Sequence, residues 1–145
     1  MKYDDATWHS GGNFPPDLPP SAAGTHTGMF MAWAFLSGMA SRIAAANLAE
    51  RMHQLESRAV TPGAFYLETC GGKFLDEDLN EEGNAFARAY FDFADGQYLA
   101  DYDATLGSDL GDIYRVADTW ENFDRLKGIL DSRYREWKAQ VGLPD

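Results

Sequence analysis

The hydrophobic pattern of the chain centres on one stretch, residues 29–36, with the sequence Met-Phe-Met-Ala-Trp-Ala-Phe-Leu. Its only polar side-chain atom is the indole nitrogen of Trp33. A helix that is apolar on every side must be surrounded by protein, because it has no face to turn toward water. The pattern therefore predicts a buried central helix over about residues 27–40, with the other helices packed around it.

The apolar residues outside this stretch also recur at helical spacing. Residues 45–58 predict one amphipathic helix. The pair Thr61-Pro62 predicts the start of another, because proline suits the first helical position. Asp78 and Glu81 have the spacing of a capping box in front of a further helix.

The strongest helical pattern lies near the C-terminal end of the sequence. Asp118 is the predicted N-cap, and the apolar positions that follow it keep a 3-4-3-4 rhythm: Trp120, Phe123, Leu126, Leu130, Tyr134, Trp137 and Val141. No run alternates with period two for long, although residues 73–79 allow a short piece of extended chain. The predicted fold class is therefore all-α, with residues 1–145 forming a single compact multi-helix domain.

Residues 1–20 are predicted to be irregular but ordered. Gly11-Gly12 and the paired prolines forbid a continuous helix in this N-terminal segment. Its large apolar side chains, Tyr3, Trp8, Phe14 and Leu18, are expected to anchor the segment over the helical body formed by residues 21–145.

Charge and composition narrow the function classes. The net charge is −11 and the pI about 4.5, which argues against nucleic acid or an anionic membrane as a partner, since both attract basic surfaces. The N-terminus is too polar for a signal peptide, and no apolar run approaches the roughly 20 residues that span a bilayer. The single cysteine, Cys70, fits a reducing compartment. The expected localisation is cytoplasmic.

Two histidines flank the proline-rich part of the N-terminal segment. His9 and His26, with Trp8 beside His9 and with Asp4 and Asp5 nearby in sequence, form a candidate ligand or metal site. The histidines lack the tight spacing of known zinc motifs, however. The alternative interpretation is that they hold the segment in place through hydrogen bonds, and this alternative is favoured. No catalytic residue, metal site or cofactor is assigned from the sequence.

Acidic residues are concentrated in one part of the chain. Residues 76–124 contain fourteen carboxylates and only two arginines, whereas the rest of the chain is nearly neutral. One interpretation is a solvated, solubilising face. The other is a surface that steers a basic protein partner, formed by Asp76, Asp78, Glu81, Glu82, Asp95, Asp101 and Asp103.

Several short motifs resemble a family of small, uncharacterised bacterial proteins described only as a domain of unknown function. The motifs are Tyr3-Asp4-Asp5-Ala6-x-Trp8-His9, Phe14-Pro15, Leu18-Pro19, Thr25-His26-x-Gly28-Met29-Phe30-x-Ala32-Trp33 and Asp118-Thr119-Trp120-Glu121-Asn122-Phe123. The resemblance implies a bacterial cytosolic protein and transfers no functional residues. In size and acidity the chain is also similar to immunity proteins, which inhibit interbacterial toxins.

Three hypotheses follow from the sequence. The first is a non-enzymatic, immunity-type binding module whose acidic face recognises a basic toxin or effector. The second is a small enzyme or metal-binding or ligand-binding protein with a site near His9 and His26. The third is a structural module that forms homodimers through the aromatic last helix.

Overall fold

The computed structural model of the chain describes residues 1–144, and it confirms the all-α fold class. The helices in chain order are α1 (Ala6–Ser10), α2 (Thr25–Leu36), α3 (Arg42–Asn47), α4 (Ala49–Glu56), α5 (Pro62–Ala64), α6 (Glu81–Phe86), α7 (Tyr98–Tyr102) and α8 (Trp120–Val141). Three of them, α5, α6 and α7, continue into the π-helical turns Phe65–Thr69, Ala87–Phe91 and Asp103–Gly107. Short 3-10 turns occupy Pro20–Gly24, Asp76–Asp78 and Ile113–Arg115.

A small antiparallel sheet supplements the helices. Strand β1 (Lys2–Asp5) pairs with strand β2 (Lys73–Leu75), and Asp4 lies opposite Phe74 in the register. The extended piece predicted within residues 73–79 is thus present as β2. The N-terminal segment is more regular than predicted, because it contains both β1 and α1.

Helix α2 is the centre of the fold, as its sequence predicts. Every residue from Thr25 to Phe35 is buried. At Gly28 a Cβ atom would lie 2.7 Å from the carbonyl oxygen of Pro62, so only glycine allows α5 to approach this closely. The helix is shorter than predicted, and it ends before Gly38, which adopts a φ of +81°.

Two further predictions about helix ends are wrong. The single helix predicted over residues 45–58 is divided at Leu48 into α3 and α4. Asp78 does not cap α6; the side chain of Asn80 accepts the Gly83 N–H instead. The side chain of Asp78 accepts a hydrogen bond from the Leu75 N–H and so closes the Asp76–Asp78 turn.

Helix α8 covers one side of α2 with its apolar stripe. Phe123, Leu126 and Leu130 are buried, and the N-cap is Thr119 rather than Asp118. The carboxylate of Asp118 accepts N–H groups at the start of α5 instead. Asp118, the predicted cap of α8, thus stabilises the start of α5, because the fold places its side chain there.

The anchors predicted in the N-terminal segment behave differently from one another. Tyr3 packs against Phe74, with ring centroids 4.7 Å apart, and Phe14 packs against Tyr114 at 5.0 Å. Trp8 is 54% exposed, so its prediction as an anchor is wrong.

Within residues 1–144, none of the helices combines the length and the apolar character that crossing a bilayer requires.

Candidate metal centre

The structure brings together the side chains of Asp4 and His9, which are five residues apart in sequence, and that of His26. The Nε2 atom of His9 is 2.7 Å from Oδ1 of Asp4, and the Nε2 atom of His26 is 3.7 Å from Oδ2 of the same carboxylate. One ligand atom from each residue lies within 4.8 Å of the other two. These residues form the Asp4–His9–His26 cluster.

Local structure explains how the chain assembles this cluster. Asp4 lies near the end of β1, where strand pairing fixes its backbone against β2. The next residue, Asp5, caps α1 by accepting the N–H and the hydroxyl of Thr7, so the chain turns and His9 returns to Asp4 after one helical turn. His26 enters from the second position of α2, immediately after the Pro20–Gly24 turn.

His26 is the most unusual member of the cluster. Its side chain is fully buried, yet neither ring nitrogen has a hydrogen-bond partner within residues 1–144. Burial lowers the pKa of His26 to about 4; the Asp4 carboxylate opposes this shift and His9 adds to it. The imidazole is therefore neutral at physiological pH, which is the form that binds a metal ion.

Two further residues hold the cluster in position. The hydroxyl of Thr27 donates a hydrogen bond of 2.5 Å to Oδ2 of Asp4, and Nδ1 of His9 lies 2.8 Å from the hydroxyl oxygen of Tyr114. Burial and the charge of Asp4 raise the pKa of Tyr114, so this hydroxyl keeps its proton. Partners of this kind orient ligating carboxylates and histidines in metal sites.

The geometry suits a single metal ion. Donor atoms around a zinc ion with metal–ligand distances near 2.1 Å lie roughly 3–3.5 Å apart. The contacts of 2.7 and 3.7 Å between Asp4 and the two histidines bracket that range. One ligand atom from each of the three residues lies within 4.8 Å of the other two, so the side chains would have to move closer together to form a two-histidine, one-carboxylate ligand set.

Aromatic rings enclose the cluster. The ring centroid of Phe93 lies 5.8 Å from that of His9 and 6.0 Å from that of His26. The side chain of His9 keeps 13% of its surface exposed, whereas Asp4 and His26 are closed off from solvent. An ion in this position would therefore be reached from the side of His9.

The structure places some of the residues predicted for this site in the cluster and others outside it. His9 and His26 converge, and their carboxylate partner is Asp4. Trp8 is not among the contacts of the cluster, and the ammonium group of Lys2 lies over its exposed ring. Thr27 and Tyr114 were missed because a hydroxyl that supports a buried ligand leaves no spacing pattern in a sequence.

The acidic residues predicted to face a partner do not form one uniform set. Four of the seven carboxylates bind groups of this chain: Asp76 the N-terminal ammonium, Asp78 the Leu75 N–H, Glu82 the Tyr134 hydroxyl, and Asp101 both Arg133 and Tyr90. The carboxylates of Glu81, Asp95 and Asp103 are exposed and make no ion pair or hydrogen bond to the described residues. Their role in binding a partner stays a prediction.

The chain belongs to a family of proteins whose shared domain has no known function. Residues 2–116 match the family described as Domain of unknown function (DUF7832). This match includes the whole Asp4–His9–His26 cluster together with Thr27 and Tyr114. No curated protein and no solved structure matches the chain.

Proposed function

We propose that this protein binds a divalent transition-metal ion through Asp4, His9 and His26. The observation that supports this proposal is the fully buried imidazole of His26, whose two nitrogens have no partner within residues 1–144 although a carboxylate and a second imidazole lie beside it. A buried polar group left without a partner costs about 1–3 kcal/mol. A metal ion bound to Nε2 of His26 would give one of the two unpartnered nitrogens a ligand bond, and it would also balance the charge of the Asp4 carboxylate.

The ligand types narrow the choice of ion. Imidazole nitrogens suit zinc, iron, nickel and copper, whereas calcium and magnesium prefer sites made of oxygen ligands. Three protein ligands are also the number found in catalytic zinc sites, where a water molecule or substrate fills the fourth position. The proposal therefore allows both a sensor and a metal-dependent enzyme, and binding is the property they share.

The competing interpretation is a structural hydrogen-bond cluster without a metal. It accounts for His9, which contacts both Asp4 and Tyr114. It gives no role to the nitrogens of His26. The two interpretations therefore differ most sharply in what they predict for substitutions of His26.

Calorimetric titration of metal-free protein with Zn²⁺ tests the proposal. We expect one ion per chain. The His26→Leu variant should lose more affinity than the roughly 10- to 100-fold that loss of an outer hydrogen-bond partner costs. The His53→Gln variant is the matched control, because His53 is exposed on α4, outside the cluster.

The outcome that would contradict metal binding is clear. Wild type, His26→Leu and His53→Gln would then bind Zn²⁺ with the same weak affinity, while circular dichroism shows that all three are folded. The hydrogen-bonded interpretation would then be retained.

A second proposed function is recognition of a basic protein, such as a toxin neutralised by an immunity-type inhibitor. It is supported by the exposed carboxylates of Glu81, Asp95 and Asp103, which have no partners among residues 1–144.

Capture from a bacterial lysate with washes of increasing salt tests this second function, because screening weakens electrostatic association. A basic partner of fixed stoichiometry that leaves at high salt would support this function, and the triple variant with Gln and Asn at these positions should no longer capture it. Unchanged capture by the triple variant would contradict it.

A further inference from the structure

A groove lies beside the Asp4–His9–His26 cluster and has a volume of about 570 Å³. The Pro20–Gly24 turn, the helical stretch 62–69 and residues 114–118 form its sides, and its walls are largely apolar, with Leu18, Ala22, Leu67 and Val116 among them. This volume falls within the range of about 300–1,000 Å³ typical of small-molecule sites. Tyr114 connects the two features, because it lines the groove and its hydroxyl contacts His9.

The charged groups at this groove are not equally available to a ligand. The guanidinium of Arg115 is held by both oxygens of Asp17, at 2.8 and 3.0 Å, and by Asp112 at 3.2 Å. The carboxylate of Asp118 accepts bonds from Thr61, Gly63 and Ala64. The positive charge at the groove is thus compensated, and the second carboxylate is fixed by the fold.

Glu68 differs from these residues. Its side chain is 64% exposed, and its one ion pair within residues 1–144 is a long contact of 3.9 Å with Arg51. The lining therefore presents an available carboxylate, an aromatic ring and an apolar wall. The net charge of −11 adds a field that attracts cations.

We propose that the groove binds a small organic cation, a protonated amine with an aliphatic body. The aliphatic part would lie against the apolar wall, and the ammonium group would face Glu68 and the ring of Tyr114, since both attract cations. This inference goes beyond the proposed metal site and does not depend on it.

Three probes of equal chain length test the charge preference: n-hexylammonium, 1-hexanol and hexanoate. We expect hexylammonium to shift the backbone amide NMR resonances of residues lining the groove and to bind at least about tenfold more tightly than hexanol, with hexanoate weaker still. Glu68→Gln should weaken hexylammonium binding about two- to fivefold, the effect of an exposed charge pair, and leave hexanol binding unchanged.

A filled groove provides the matched control. Ala117 lines the groove and is exposed, so Ala117→Trp should occupy the space without disturbing the core and should abolish the shifts. Ala100→Trp, on the exposed face of α7, should leave binding unchanged. Each titration is repeated with chelator and with Zn²⁺, so that failure of the metal site is distinguished from failure of the groove.

Three results would overturn the proposal. The first is hexanoate binding as tightly as hexylammonium, and the second is undiminished binding by Ala117→Trp. The third is the absence of any shift with hexylammonium at millimolar concentration.

Discussion

Helix α8 and the Asp4–His9–His26 cluster bury side chains in opposite ways. α8 turns Phe123, Leu126 and Leu130 inward and keeps its charged residues at the surface. The cluster places a carboxylate and an imidazole in the interior with no exposure at all. Apolar burial explains the first arrangement, because it stabilises the fold directly. The second lowers stability unless every polar atom finds a partner.

Two polar pairs that involve residues of α8 meet this condition. The indole nitrogen of Trp33 donates to Asp131 at 2.9 Å, and Arg133 pairs with Asp101 at 2.8 Å. His26 does not meet it, since both ring nitrogens lack partners among residues 1–144. Stability alone accounts for α8, whereas the proposed metal ion would supply the partner that His26 lacks. Four predictions test this contrast.

The largest effect is expected where α8 enters the core. Leu130 is fully buried, so Leu130→Ala should reduce the free energy of unfolding by about 2–5 kcal/mol, because it removes apolar contacts and leaves a cavity. Urea denaturation measures this loss. Ile129→Ala, at a neighbouring position that is 38% exposed, should cost less than about 1 kcal/mol. Equal losses would show that the buried stripe has been misassigned.

A smaller loss is expected when Asp4 loses a partner. Thr27→Val keeps the shape of the side chain but removes the hydroxyl that donates to Oδ2 of the buried carboxylate, so the metal-free protein should lose about 1–3 kcal/mol. Thr25→Val is the matched control on the same helix, because no hydrogen bond involves its hydroxyl in the described structure. A loss at Thr25 as large as that at Thr27 would contradict the role given to this contact.

The third prediction concerns a core substitution that should not lower the free energy of unfolding, although most core substitutions do. His26→Leu replaces an imidazole without partners by an apolar side chain of similar size, so the free energy of unfolding of the metal-free protein should stay the same or rise by about 1 kcal/mol. Saturating Zn²⁺ should stabilise the wild type by about 2.7 kcal/mol at one hundred times its Kd and leave this variant unaffected. Destabilisation of the metal-free variant by more than about 2 kcal/mol would indicate that His26 has polar partners after all.

The smallest effect concerns Cys70, a half-buried polar group that needs no ligand. Burial raises the pKa of its thiol to about 12, with a smaller contribution from Asp78. In the unfolded chain the thiol ionises near pH 9, so folding is favoured less as the pH rises from 9 toward 12. The alkylation rate of the folded protein should keep rising about tenfold per pH unit up to about pH 11, because the thiolate is the reactive form. A plateau near the ordinary thiol pKa would contradict this assignment.

The elements that could be predicted from sequence are those whose local pattern and tertiary environment agree. The apolar run at residues 29–36 became the buried α2, and the 3-4-3-4 pattern became α8, because hydrophobic periodicity alone specifies both. Boundaries were less predictable. Asp118 could cap α8 by sequence, but it binds the start of α5, since the fold brings those N–H groups closer.

The candidate site was only partly predictable. His9 and His26 were recognisable as residue types that bind metals, but the sequence offered both Asp4 and Asp5 as carboxylates near them. Their convergence depends on the pairing of β1 with β2 and on the cap that Asp5 provides to α1. Neither feature has a periodic signature in a strand of four residues. The prediction that Trp8 is a buried anchor failed because a large aromatic side chain is usually buried, whereas this one is exposed.

The measurement that tests metal binding most directly is a long-range ¹H–¹⁵N NMR spectrum of the three histidine rings during addition of Zn²⁺. One equivalent of Zn²⁺ should shift the Nε2 resonances of His9 and His26 and leave those of His53 unchanged. It should also place the ring proton of His9 on Nδ1, from which it can donate a hydrogen bond to the hydroxyl oxygen of Tyr114. Rings of His9 and His26 that keep their metal-free resonances at saturating Zn²⁺ would contradict the account.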